Sequence, residues 1–189
     1  MKTLIFDEKH IILKGGVTAT LRTPEVSDAA IMLNLIKTVS AETEFLARYY
    51  EDWADFSVDS ESKWILNNRE SENDLVIACF IDGVAAGCCE ISFFSGSKSF
   101  HRAGIGISVL KKYWNMGIGT AFFYEIIKAA NERKSTEILE LEYVEGNERA
   151  KVLYEKFGFR EVSVKPDAYK LKDGRYQNLV YMQKYLFRE

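Results

Sequence analysis

Two apolar runs, Asp74–Ile81 and Val84–Phe94, are joined by the dipeptide Asp82-Gly83, and this join constrains the fold more than any other feature. Asp-Gly between two strand-like runs is a strong hairpin signal, because the tightest hairpin turn needs positive φ at both central residues. The elements on either side extend the pattern. Val17–Thr23 alternates and stops at Pro24, which predicts a first strand. Ser27 is predicted to cap a helix carrying Ala29, Ile31, Met32, Leu35, Ile36 and Val39 at helical spacing. Glu42–Phe56, rich in aromatics and acids, reads as helix plus loop, and Asp59 or Ser60 is predicted to cap a short helix through Trp64, Ile65 and Leu66.

After the hairpin come a turn at Gly96, a strand over His101–Leu110 and a helix within Met116–Arg133. A strand over Glu137–Val144 and a helix over Glu148–Phe157, closed by Gly158, follow. Strands at Phe159–Val164, Ala168–Leu171 and Leu179–Phe187 finish the chain around a turn at Asp173-Gly174. No repeat, linker or low-complexity stretch interrupts this order. The expectation is one α/β (α+β) domain over residues 1–189, with a central mixed, mostly antiparallel sheet flanked by helices.

Composition narrows the class. With 47% hydrophobic and 13% aromatic residues the chain can bury a core, which sets disorder aside. A net charge of -3, with Lys and Arg scattered, argues against a nucleic-acid partner, which needs a basic surface to displace counterions. Met1–Gly16 holds no apolar run of signal-peptide length, and no segment approaches the ~20 apolar residues of a membrane span. No membrane association and a cytoplasmic location are therefore expected. Cys79, Cys88 and Cys89 lie in strand-like segments without CxxC spacing and read as buried, reduced, structural thiols. His10 and His101, the two histidines, have no Cys, Asp or Glu at ligand spacing, so no metal is expected.

The segment most suited to chemistry is Gly104-Ile-Gly-Ile-Ser-Val-Leu-Lys-Lys-Tyr-Trp-Asn-Met-Gly-Ile-Gly-Thr120. A strand runs through a turn into the N-terminus of an amphipathic helix, where unpaired N–H groups and the helix dipole suit a phosphate. Gly117 and Gly119 remove side chains there, and Thr120 adds a hydroxyl. A Walker loop would need a Lys after Gly119, and a dinucleotide fingerprint a third glycine where Phe122 stands. A second block follows, Asn147-Glu-Arg-Ala150-Lys-Val-Leu153-Tyr154-Glu-Lys-Phe157-Gly158-Phe159, with Asn147, Ala150 and Tyr154 on one side of a helix.

Both blocks, in this order, resemble the GNAT acetyltransferase superfamily. The second matches its Asn-x-x-Ala-x-x-Leu-Tyr-x-x-x-Gly-Phe pattern at every named position. The first, normally Gln/Arg-x-x-Gly-x-Gly/Ala, has Trp114 in the Gln/Arg position, and Tyr-Trp before Gly-x-Gly looks like the ribosomal-protein and amino-acid acetyltransferase branch. The resemblance covers about residues 17–186, with the acyl-CoA-binding segment at about 104–159.

The resemblance implies a splayed sheet and acetyl-CoA as co-substrate. Ile107 and Val109 would hold the pantetheine arm through their backbone, and Asn115, Gly117, Ile118, Gly119 and Thr120 would surround the pyrophosphate. Asn147 would either contact the cofactor arm or cap its own helix. Tyr154 resembles the family's general acid for the departing thiolate, with a buried structural tyrosine as the alternative. Glu90 resembles the family's base position, Glu142 is the reserve candidate, and a water chain could serve instead.

A base is needed because deprotonating a lysine-like amine at pH 7 costs about 4.6 kcal/mol. The acceptor would be a small-molecule or peptide amine: a protein N-terminus, lysine, amino acid, polyamine or aminated antibiotic. Edge strands would allow a homodimer. A silent acyl-CoA-binding module of the same fold is the competing reading.

Overall fold

The computed structural model describes residues 3–187. Among the described residues, eight strands form one sheet in the order β1-β2-β3-β4-β5-β6-β8-β7. They are β1 (Lys9–Ile12), β2 (Thr18–Arg22), β3 (Asp74–Ile81), β4 (Val84–Phe93), β5 (Arg102–Val109), β6 (Ile138–Val144), β7 (Arg160–Lys170) and β8 (Tyr176–Tyr185). The helices are α1 (Ala29–Glu42), α2 (Val58–Glu70), α3 (Ile118–Glu132) and α4 (Glu148–Lys156). Neighbouring strands are antiparallel except β5 and β6, which run parallel.

The hairpin forms as its turn chemistry demands. Asp82 and Gly83 take φ of 48° and 77°, the paired positive values that let a two-residue loop follow strand twist. β3 is buried along almost its whole length because it is covered twice. Leu75, Ile77 and Cys79 pack toward Phe122, Phe123 and Ile126 of α3, while Ala78 and Phe80 pack toward Met32, Leu35 and Val39 of α1 and Ile65 of α2. Cys79, Cys88 and Cys89 divide between these two cores, and burial pushes their thiols up, Cys79 to about 12, so all three stay protonated at neutral pH.

Four local expectations need correction. Ser27 does not cap α1: Val26–Asp28 forms a tight turn, and the Asp28 carboxylate takes two Arg22 hydrogen bonds (2.6 and 2.9 Å) and the Glu25 N–H (2.7 Å). α1 itself starts at Ala29 with no side-chain cap. Second, α2 starts earlier than expected, because Ser57 accepts from the Ser60 N–H at 3.2 Å and so leaves Asp59 and Glu61 in the first turn. Third, Glu42–Phe56 holds only the end of α1 and one tight turn over Tyr50–Trp53. Fourth, β7 is continuous across Pro166, since a register shift between Lys165 and Tyr169, with Asp167 at φ 51°, absorbs the proline. The four-residue β1 was also absent from the expected order; glycines at φ 84° and 78° turn it back onto β2.

The feature that positions the site is a parting of strands. β5 pairs with β6 only at Arg102, Ala103 and Gly104, whereas β6 pairs with β8 along all seven of its residues. Beyond Gly104 the two parallel strands diverge and open the middle of the sheet.

Candidate active site

Hydrogen-bond alternation decides what lines this opening. The Phe94 N–H donates to the Arg102 carbonyl and the Leu110 N–H to the Ala86 carbonyl, both at 3.0 Å. In an antiparallel pair the residues between them alternate, so Gly104, Gly106 and Ser108 turn their main chain toward β4. Ile105, Ile107 and Val109 therefore turn theirs toward β6 and the gap. The Val109 carbonyl is taken by the Trp114 indole N–H at 2.8 Å, which leaves its N–H for a ligand. The Ile107 side chain packs in the core, so main chain and side chain serve separate ends.

A cleft of about 1130 Å³ occupies the gap, lined by Ile107, Val109, the Asn115–Ala121 turn, Asn147, Arg149 and Tyr154. Gly117 stands at the helix N-cap with φ 101° and no side-chain cap, so the first N–H groups of α3 (Ile118, Gly119 and Thr120) have no capping side chain. The two glycines answer to different constraints. A Cβ on Gly117 would meet nothing within 4 Å, so the left-handed backbone is what requires glycine. A Cβ on Gly119 would lie 2.8 Å from Leu153 Cδ2, so its role is the close approach of α4. Gly117→Ala is expected to cost about 1–2 kcal/mol of stability from the left-handed backbone, measurable by thermal unfolding. Unchanged stability would mean the turn relaxes.

The remaining residues sit as follows. Asn115 holds φ 64°, which asparagine tolerates, and the Thr120 hydroxyl lies 3.4 Å from Lys156 Nζ. Asn147 accepts the Ala150 N–H at 3.3 Å and so caps α4 while also lining the cleft. Tyr154 is 5% exposed, with its ring 5.5 Å from Phe123 and 6.1 Å from Tyr143. Burial, then Cys89 and Tyr143, raises its pKa, so the phenol stays protonated at neutral pH. It lines the cleft and has no protein hydrogen-bond partner among the described residues.

The two carboxylates are not equivalent. Glu142 lines the cleft beside Tyr169, whose pKa is raised by burial and by the Glu142 charge. Glu90 is not among the lining residues; its carboxylate lies over Gly106, where a Cβ would come within 2.9 Å of Oε1. Loss of solvent around it, and then the Asp74 charge, raises the Glu90 pKa. Glu140, two residues from Glu142, is buried and bound by Arg102 and by the Tyr181 hydroxyl, which makes it a structural group.

Sequence reasoning missed Tyr169, which lines the cleft beside Glu142, and Lys14, Arg149 and Lys156, which line it together with the glycine turn. Phe45 and Leu46 line it too and belong to the aromatic and acidic stretch Glu42–Phe56, while Arg149 and Lys156 fall within the second motif block, so these four carried a signal. Among the described residues there is no metal-binding cluster and no helix long and apolar enough to cross a membrane.

The parted parallel strands thus enclose a cleft lined both by the uncapped start of α3 and by a protonated phenol. The Acetyltransferase (GNAT) family matches residues 39–159, and the chain belongs to that family. It is 30% identical over 107 residues to the L-amino acid N-acetyltransferase AaaT of Escherichia coli, a match covering 57% of this chain and 65% of that relative. In fold it is similar to a GNAT-family acetyltransferase from Streptococcus pneumoniae (TM-score 0.82, 24% identity, 88% of this chain and 99% of that one). It also resembles the acetyltransferase yncA from Salmonella typhimurium, solved with its cofactor acetyl-CoA (TM-score 0.74, 17% identity, 90% and 95% covered).

Proposed function

We propose that the chain moves an acetyl group from acetyl-CoA directly to a primary amine. The observation that carries this reading is one continuous cleft that joins the α3 N-terminus to Tyr154 and to Glu142. In the reading, the Ile118, Gly119 and Thr120 amides bind the pyrophosphate, and the Ile107 and Val109 main chain aligns the pantetheine arm. The amine lone pair attacks the thioester carbonyl, the C–S bond breaks, and the sulfur leaves as thiolate. Tyr154, whose pKa lies above that of an ordinary thiol near 8.5, stabilises the thiolate by donating a hydrogen bond rather than surrendering its proton.

The ammonium proton must go to a base. Glu142 is the first choice because it faces the cleft, and Glu90 would have to act from behind Gly106 through water. The acceptor end, with Phe45, Leu46, Tyr169 and Glu142, suits a cationic amine carried on an apolar stem.

Thiol release from acetyl-CoA, measured against peptides, amino acids, polyamines and aminoglycosides, tests the reading. Release with none of them would count against it. Glu142→Gln is expected to lower kcat/KM about tenfold, below the usual ~10²–10⁴ for a general base because water reaches the site. A larger loss for Glu90→Gln than for Glu142→Gln would reassign the base. The raised pKa of Glu90 would then show as an acid limb that its Gln variant removes.

A further inference from the structure

We propose that Arg149 is a phosphate-binding arm of the coenzyme cleft, supplied by α4 to the turn where Trp114 leaves the first motif without a polar side chain. The inference rests on the acetyl-CoA reading above and adds to it a residue outside the glycine turn.

Arg149 stands in the first turn of α4, one residue after Glu148. A cation there opposes the helix dipole. Two contacts hold it in place. The guanidinium carbon lies 3.9 Å over the Trp114 ring, and Nε points to the Asn115 side-chain oxygen at 3.4 Å. Both partners are themselves held, the indole by its bond to the Val109 carbonyl and Asn115 by its left-handed backbone. No ion pair involves Arg149 among the described residues, although it is exposed.

The geometry leaves the useful part of the side chain free. Stacking occupies the face of the guanidinium and Asn115 takes Nε, so the terminal N–H donors remain directed along the plane. A planar fork of donors matches a phosphate in a way that a lysine ammonium does not. Arg149 lines the same cleft as Gly117, Gly119 and Thr120, with Lys14 and Lys156 completing a cationic border. In the first block, the position that usually carries Gln or Arg carries an indole. Here that indole is the platform, and the charge stacked on it comes from the second block.

Calorimetric titration with acetyl-CoA and with its 3′-dephospho form tests this. Arg149→Met keeps the aliphatic stem and is expected to bind acetyl-CoA about tenfold more weakly or worse, the scale of a hydrogen bond to a charged group. Arg149→Lys should recover only part of the loss, and Trp114→Arg combined with Arg149→Met most of it. Arg160→Met, exposed on β7, serves as the control for surface charge. Equal losses with both coenzyme forms identify the pyrophosphate as the group bound; a loss confined to acetyl-CoA identifies the 3′-phosphate. Arg149→Met binding both forms as tightly as the wild type would overturn this proposal alone. A wild type that binds no acetyl-CoA would overturn the functional reading as well.

Discussion

Replacing Tyr154 by Phe is expected to lower kcat by about two orders of magnitude while leaving the affinity for acetyl-CoA close to wild type. The ring is buried among Phe123, Tyr143 and Phe159, so removing one oxygen leaves the packing intact. In the proposed reaction, what is lost is a single donor to the thiolate. Loss of one preorganised donor at a developing anion typically costs ~10²–10³ in rate. Because burial holds the phenol protonated, wild-type turnover should show no limb for loss of the Tyr154 proton below the ordinary tyrosine range. Steady-state turnover beside calorimetric binding separates the two effects. A variant that turns over as the wild type does would remove Tyr154 from the chemistry, and a loss of affinity in step with rate would make it a packing residue.

The second large effect is on stability. Phe123 is fully buried, and its ring lies 5.2 Å from Phe157, 5.5 Å from Tyr154 and 5.8 Å from Phe159. Beside the Gly119–Leu153 approach, it is the aromatic contact through which α3 packs on the end of α4 that carries Tyr154. Phe123→Ala is expected to cost about 3–5 kcal/mol, from lost burial plus the cavity left behind. For a chain of this size that is a fall in Tm of roughly 6–20 °C. Phe123→Leu, which refills much of the space, should lose far less. The Ala variant that survives at low temperature should also turn over more slowly, because Tyr154 gains freedom to leave the cleft. A Tm within about 2 °C of wild type would show that the aromatic cluster is not what joins the two helices.

Much of this could be read along the chain, and the particular failures show why the rest could not. The Asp82-Gly83 turn, the apolar face of α3 and the Asn147–Phe159 block are local: each depends on residues within about two turns of one another. Their φ values, periodicity and capping follow from side-chain chemistry alone. Ser27 failed as a cap because the chain tightens into a turn over Val26–Asp28, so α1 begins only at Ala29 and has no side-chain cap. Gly119 had the right residue with an incomplete reason, since the constraint is Leu153 on another helix.

The residues themselves determined that there is a hairpin, a glycine turn opening a helix, a motif belonging to an acetyltransferase family, and a tyrosine seven residues after the asparagine that opens it. Tertiary structure alone decided that β5 and β6 part after Gly104, that Glu142 faces the cleft while Glu90 lies behind Gly106, and that Arg149 rests on Trp114. The division has a physical cause. Backbone preference and helical or strand period are properties of neighbours in sequence. Which strand ends diverge, which of two carboxylates faces a gap, and which cation covers a ring depend on distances between segments that only the packed sheet brings together.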